Sequence, residues 1–223
     1  MILFFTIPRL VDRVRALELE ASQLGLSLNH TKCEVLGLSA PSQALWRDSM
    51  LDFITTDPKD ACLLGSPLSL EGVDAALTLK GEQLKEIQPR LAKLASHEAF
   101  FLLKSSFAVP RLQYLLRSSP AFKSSHLRLL NDTVKDATAS ILNIQLNDEI
   151  WTQASLPVRW GGVGVRDVQP LALSAFISSS HSTEPLIQSI LPPSLSSLQE
   201  PHVQAALNAW MLLAGGDGGA SPP

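Results

Sequence analysis

Cysteine is scarce here: Cys33 and Cys62 are the only two among 223 residues. That count excludes a disulfide framework and any C-x-x-C metal spacing, so a reducing compartment is the simpler assumption. Both thiols read as small buried residues on neighbouring strands. Aromatic residues are thin as well at 6%, with Tyr114 the one tyrosine. That leaves little for a row of unpaired bases to stack on. Phe100, Phe101 and Phe107 sit in an apolar run and read as core, which leaves Tyr114 as the exposed aromatic candidate. No stretch approaches the roughly 20 apolar residues of a membrane span, so no membrane partner is expected. Met1–Ile7 is apolar but lacks a basic n-region, a full h-region and a small-residue cleavage site. It reads as a buried strand or a truncation edge. Asn29-His30-Thr31 and Asn131-Asp132-Thr133 fit the glycosylation sequon by chance, since nothing else points to secretion.

What is present is enough apolar material for a packed core: 45% hydrophobic residues against 17% charged. The net charge of -3 conceals an asymmetry. Between Lys80 and Lys135 there are ten Lys/Arg and four Asp/Glu, whereas the rest of the chain holds eight and seventeen. A basic middle with acidic flanks suits a phosphate-facing element. Ordinary solvated helix faces are the alternative.

Leu10, Val14, Leu17, Ala21 and Leu24 alternate at four- and three-residue spacing between Pro8 and Gly25, which predicts an amphipathic helix. Ser27–Asn29 and Cys33–Leu38 then read as a small hairpin. Ser42 is placed to cap a helix with Trp46, Met50 and Phe53 on one face. After the break at Asp57-Pro58-Lys59-Asp60, Ala61–Leu64 reads as a strand turning at Gly65-Ser66-Pro67. From Leu70 the pattern is helical. Val73, Leu77, Leu84, Ile87, Leu91 and Leu94 form one stripe, with Pro89 a kink or boundary. The apolar segment from Phe100 to Leu116 is interrupted at Pro110, and Leu127, Leu130, Val134, Ala137 and Ile141 mark a helix starting at Ser124-Ser125. Such stripes are buried together in a helical bundle. A glycine-rich turn at Trp160-Gly161-Gly162-Val163-Gly164 follows between strand-like flanks, then a helix over Leu171–Ser179. A Ser/Pro-rich segment with one helix, His202–Leu213, leads to a disordered tail.

Several segments carry a resemblance. Gly25-Leu26-Ser27-Leu28-Asn29-His30-Thr31-Lys32-Cys33-Glu34 resembles the stretch that follows the catalytic strands of retroelement polymerases. Leu63-Leu64-Gly65-Ser66-Pro67-Leu68 resembles their primer grip. Then come His97–Lys104, Pro110–Arg117 and Leu156-Pro157-Val158-Arg159-Trp160-Gly161-Gly162-Val163-Gly164-Val165-Arg166. In that order they look like the end of the palm, the thumb and the linker of non-LTR (LINE-like) retrotransposon reverse transcriptases, over roughly Arg9 to Ser180. The resemblance implies a mainly α (α+β) fold, with small β hairpins of a palm edge followed by a thumb-like helical bundle. It implies a palm-edge remnant at 1–68, a thumb-like bundle at 69–145, a glycine-rich turn with a linker helix at 146–180, and the Ser/Pro-rich remainder at 181–223.

It also implies functional residues. Leu64, Gly65 and Ser66 match the primer grip, and Lys80, Lys85, Arg90, Lys93, Lys104, Arg111, Arg117, Lys123, Arg128 and Lys135 would face template-primer phosphates. Lys32 matches the lysine proposed in many polymerases to protonate departing pyrophosphate, against the ordinary alternative of a solvated lysine. The family's chemistry needs two Mg²⁺ ions clamped by carboxylates on adjacent strands. No Tyr/Phe-x-Asp-Asp turn occurs in this sequence. Asp12, Glu18 and Glu20 fall on a helix, and Asp57 and Asp60 flank a proline. The expectation is therefore an RNA-directed DNA polymerase relative, inactive alone, with no cofactor of its own and Mg²⁺ only in an intact parent polymerase. It would bind RNA–DNA or other duplexes without sequence preference, or act with a complementary palm polypeptide. A helical protein-interaction module derived from such an element is the alternative. Its expected setting is intracellular, in nucleus or cytoplasm.

Other signals are weaker. Gly161-Gly162-x-Gly164 lacks the spacing and the Lys-Ser/Thr of a phosphate-binding loop. His97 and Glu98 are adjacent on a helix and cannot converge. The serines near His126 and Asp132 show no nucleophile elbow.

Overall fold

The computed structural model describes residues 7–36, 53–57, 59–190 and 201–213. The fold is mainly helical, as expected, with a few short strands. The chain divides into two compact units, Met1–Ala61 and Cys62–Pro223.

In the first unit, helix α1 (Ile7–Gln23) buries Val11 against Val35, with Leu10 and Phe53 at the margin, and Val14 is buried as well. The helix stops at Gly25, whose φ of +73° is readily accessible to glycine. Leu26 N donates to Ala21 O at 2.9 Å and Gly25 N to Ser22 O at 3.1 Å, the paired bonds of a Schellman cap. Leu24, counted in the sequence stripe, lies past the helix and is exposed. The expected Ser27–Asn29 hairpin does not form. Strand β1 (Glu34–Leu36) instead pairs in parallel with β2 (Ile54–Thr56), Val35 opposite Thr55. Local spacing suggested the nearest partner, but the segment that pairs lies about twenty residues away in the chain. The helix expected around Trp46 and Met50 lies outside the described residues, and Phe53 is not helical.

The second unit opens with a hairpin, β3 (Cys62–Leu63) and β4 (Ser66–Pro67), Cys62 opposite Pro67. Its two-residue loop is Leu64-Gly65, with φ of +50° and +81°. Two positive φ values in succession match the primed turn that follows the strands' own twist. The turn is therefore one residue earlier than its sequence placement, and Ser66 is a buried strand residue. The two cysteines also depart from expectation: Cys62 is exposed, Cys33 is half-buried, and they belong to different units.

Helix α2 (Leu70–Leu91) starts at Ser69, whose Oγ accepts from Gly72 N at 2.9 Å. It buries Val73, Leu77, Leu84 and Leu91 and runs two residues past Pro89. Helix α3 (Ser96–Leu102) passes into a π turn, Leu103–Phe107, closed by Ala108 N donating to Leu103 O at 2.9 Å. Helix α4 (Val109–Ser118) begins there, with Pro110 in its first turn where a missing N–H leaves no bond unmade. Helix α5 (His126–Leu142) packs on α2. It ends at Asn143, left-handed at φ +53°. Leu77, Leu103, Leu116 and Val134 are among the fully enclosed side chains of this one core.

Helix α6 (Asp148–Ser155) falls where the sequence reading had no element. Asn147 caps it, its Oδ1 accepting from Ile150 N at 2.8 Å. The flanks of the glycine-rich turn are not strands: a 3-10 turn, Val158–Trp160, precedes the glycines. Helix α7 spans Val168–Ile190, far beyond the expected Ser179 and through Pro185. Its serines and threonines return their hydroxyls to the preceding turn, as when Thr183 Oγ1 donates to Ser179 O at 3.0 Å, so these polar side chains do not break the helix. Helix α8 (Pro201–Leu213) packs on α7 through Ala206, Leu207 and Trp210, close to the expected bounds. The Gly/Ser/Pro tail lies outside the described residues. Among the described residues no helix is long and apolar enough to cross a membrane.

Candidate nucleic-acid interface

The hairpin of β3 and β4, where the primer-grip residues were expected, is braced from α4 and the residue that follows it. Tyr114 on α4 donates its hydroxyl to Leu64 O at 2.8 Å, and Ser66 Oγ and Ser119 Oγ share a buried bond of 2.8 Å. The tip is therefore clamped at its carbonyl and at its base. Leu64 is 88% exposed, and a Cβ built on Gly65 would meet nothing within 4 Å. Leu64 and Gly65 thus stand in solvent on a fixed support, while Ser66 is beneath them. Tyr114 holds the hairpin through its hydroxyl and is not a free stacking residue.

The ten basic residues do not converge on one face. Five residues of α-helix turn through 500°, so Lys80, Lys85 and Arg90 on α2 stand roughly 140° apart in succession. Lys80 is half-buried beside the core stripe. Lys85 lines an open groove of ≈ 290 Å³ between α2 and α5, with Gly81 and Leu130 among its other walls. Arg90 faces solvent in the last turn and Lys93 follows it, where cations also complement the helix carbonyls.

Four others are held internally. Lys104 Nζ donates to Val163 O at 3.1 Å. Lys135 Nζ donates to Asp148 Oδ1 at 2.7 Å, and Lys123 lies 2.7 Å from His202 Nδ1. Arg111 donates to Gln83 Oε1 at 3.3 Å. The Asp148 carboxyl is held below its ordinary range first by the Lys135 hydrogen bond, then by the charges of Lys135 and Arg128. Arg117 and Arg128 are exposed. The cations free to meet a phosphate most readily are thus Lys85, Arg90, Lys93 and Arg117.

Lys32 ends a 3-10 turn, His30–Lys32, and its side chain is exposed. No group of three His, Cys, Asp or Glu side chains comes together among the described residues. Folding does gather one serine, one aspartate and one histidine. Ser124 Oγ donates to Asp74 Oδ1, and His126 Nδ1 lies 3.4 Å from the same oxygen. The order is wrong for nucleophile activation, which needs the imidazole between serine and carboxylate. Here the serine proton is directed to the aspartate, and the Ser124 oxygen accepts from His126 N at 3.1 Å in the turn before α5.

One aromatic residue departs from its expected core position, and a second stands exposed where the sequence carried no expectation. Phe101 is 66% exposed, whereas Phe100 and Phe107 pack on the core as expected. Trp160 is 60% exposed at the glycine-rich turn. Its place between Pro157 and Gly161 was the available signal, because so tight a turn has little depth in which to bury an indole. Asn131, by contrast, is 5% exposed, so its sequon is closed to modification in the fold. Compared with family models, with curated proteins and with solved structures, this chain finds no match.

Proposed function

We propose that this chain is a reverse-transcriptase-like, retrotransposon-derived segment of palm edge and thumb that binds duplex nucleic acid without sequence preference. The observation that carries the reading is the clamped hairpin. A fixed tip with bare backbone at Gly65 beside the exposed Leu64 side chain suits close approach to a primer strand. Helices with unpaired cations follow it in the same compact unit, in the order in which the resembling segments occur. Backbone and cation contacts read shape and charge and carry no base information. The proposal is one of binding, with Lys32 as a residue that would matter only beside a complete palm.

Fluorescence anisotropy of a labelled RNA–DNA duplex tests it. Three neutralised phosphates predict roughly forty-fold weaker binding at about 200 mM than at about 50 mM salt. A Lys85→Glu/Arg90→Glu/Lys93→Glu variant should lose about tenfold or more at the lower salt. Absence of binding by a folded sample refutes the proposal.

A second reading, a helical protein-interaction module, is favoured by one observation. Leu186, Ile187 and Ile190 on α7 and Met211, Leu212 and Leu213 on α8 are all exposed. A folded sample that ignores the duplex but runs as a discrete oligomer would support that reading.

A further inference from the structure

The glycine-rich turn is built as a rigid mount. Val163 N donates to Ala154 O at 2.9 Å, Gly164 N to Leu156 O at 3.1 Å, and Lys104 reaches across from the π turn to Val163 O. Trp160 is fixed within it at both ends of its peptide unit. Its N–H donates to Pro157 O at 2.8 Å, and its carbonyl accepts from Gln153 Nε2 at 3.2 Å. A backbone so tied, carrying an indole that is 60% exposed, presents a large π surface at little further cost in ordering.

The charges beside it in the chain are of one sign. Arg159 lies with its guanidinium carbon 4.8 Å from the Trp160 ring centroid, within cation–π range, and both side chains are exposed. Arg166 is exposed on the far side of the glycines, and no Asp or Glu occurs from Ile150 to Arg166. The nearest following carboxylate, Asp167, is engaged elsewhere. It accepts from Trp151 Nε1 at 3.0 Å, from Asn131 Nδ2 at 3.3 Å and from Gln169 N at 2.8 Å. Neither arginine has a hydrogen-bonding or ion-pair partner among the described residues.

We infer that Trp160, with Arg159 and Arg166, is a stacking platform for an unpaired nucleotide of single-stranded DNA or RNA. The indole takes the face of a base and the guanidinium groups take its phosphates, a combination that tolerates any sequence because every base has a π face. Base pairing and stacking hide those faces inside a duplex, so the platform selects unpaired strands. The inference rests on the nucleic-acid reading above and narrows it to a second, distinct surface.

The test uses the full chain as wild type, Trp160→Ala and Trp160→Phe, titrated in parallel against a fluorescein-labelled oligothymidylate and a blunt RNA–DNA duplex. Loss of one base–aromatic stack predicts about tenfold weaker binding of Trp160→Ala to the single strand. Trp160→Phe keeps a π face and should fall within about threefold of wild type. Duplex affinity should be unchanged in both, and matched thermal unfolding confirms that an exposed site was altered. Equal single-strand affinity of wild type and Trp160→Ala overturns the platform, and duplex binding in the same samples then leaves the proposed function standing. Equal loss on both nucleic acids overturns it as well, because a ring that only supports the fold or the general surface has no preference for unpaired bases. If wild type binds neither, both readings fall.

Discussion

Replacing Gly162 by alanine should destabilise the helical unit by about 3 kcal/mol, and the reason is crowding by main-chain atoms. A Cβ on Gly162 would lie 2.0 Å from Leu156 O, 2.5 Å from Leu156 C and 2.8 Å from Gln153 O. None of these atoms ends a flexible side chain, so relief requires the turn to move as a whole. Movement breaks the bonds from Gly162 N to Pro157 O at 3.3 Å, Val163 N to Ala154 O and Gly164 N to Leu156 O. At roughly 1 kcal/mol net for each, their loss accounts for the figure. Gly161→Ala is the internal control. Its φ of +80° makes the backbone unfavourable for alanine, but the nearest neighbour of its Cβ is Gln153 Nε2 at 3.2 Å, which can swing away. That variant should cost about 1–2 kcal/mol. Urea unfolding followed by tryptophan emission is the assay, since Trp151 is buried beside the turn. For a slope of about 2 kcal/mol per molar, Gly162→Ala should shift the midpoint by about 1.5 M. A cost no greater than that of Gly161→Ala would refute the reasoning.

Asn131→Ala should cost about 1–3 kcal/mol, because it leaves the buried Val168 N–H, now 2.9 Å from Asn131 Oδ1, without an acceptor. Faster hydrogen exchange at the Val168 amide would confirm the cause, and unchanged exchange would exclude it. Asp148 sets a pH dependence. Its carboxyl titrates lower in the folded chain than in the unfolded one, so its bond with Lys135 contributes above the unfolded value of about 3.9 and is lost as pH falls through the folded value. The stability difference between wild type and Asp148→Asn should therefore be small near neutrality, given the exposure of Asp148, and should vanish in acid. Urea midpoints at about pH 7 and pH 3 check it, and a difference that grew on acidification would contradict the sign.

Much of the helical architecture was written in local pattern. The repeats at Val73, Leu77, Leu84, Ile87 and Leu91, and at Leu127, Leu130, Val134, Ala137 and Ile141, define stripes that stay dry only when packed on one another. Ile87 and Ile141 are partly buried and the rest buried, whereas Leu94, counted in the first stripe, lies past the helix and is exposed. Gly25 marked the end of α1 because few residues but glycine enter a left-handed cap without strain. The turn between β3 and β4 was legible to within one residue. Beyond those, periodicity has no information about partners. The pairing of Glu34–Leu36 with Ile54–Thr56 depends on a segment distant in the chain, and α7 runs on past Ser179 although serine, threonine and Pro185 there carry no apolar stripe to announce it.

The candidate interface divides in the same way. Composition placed ten cations in one stretch, but their directions follow from helix geometry and their freedom from tertiary neighbours. Lys104 and Lys135 were absorbed by a carbonyl 59 residues on and a carboxylate 13 residues on, while Lys85, Arg90 and Lys93 were left to solvent. Trp160 became a surface residue because the glycines beneath it let Leu156 and Gln153 approach so closely that the turn has no interior. The sequence by itself determined which residues are apolar, charged or conformationally free, since those are properties of single side chains and their near neighbours. Only the tertiary structure decided which charges remain available and which aromatic ring faces water, because both depend on what folding brings within a few ångströms.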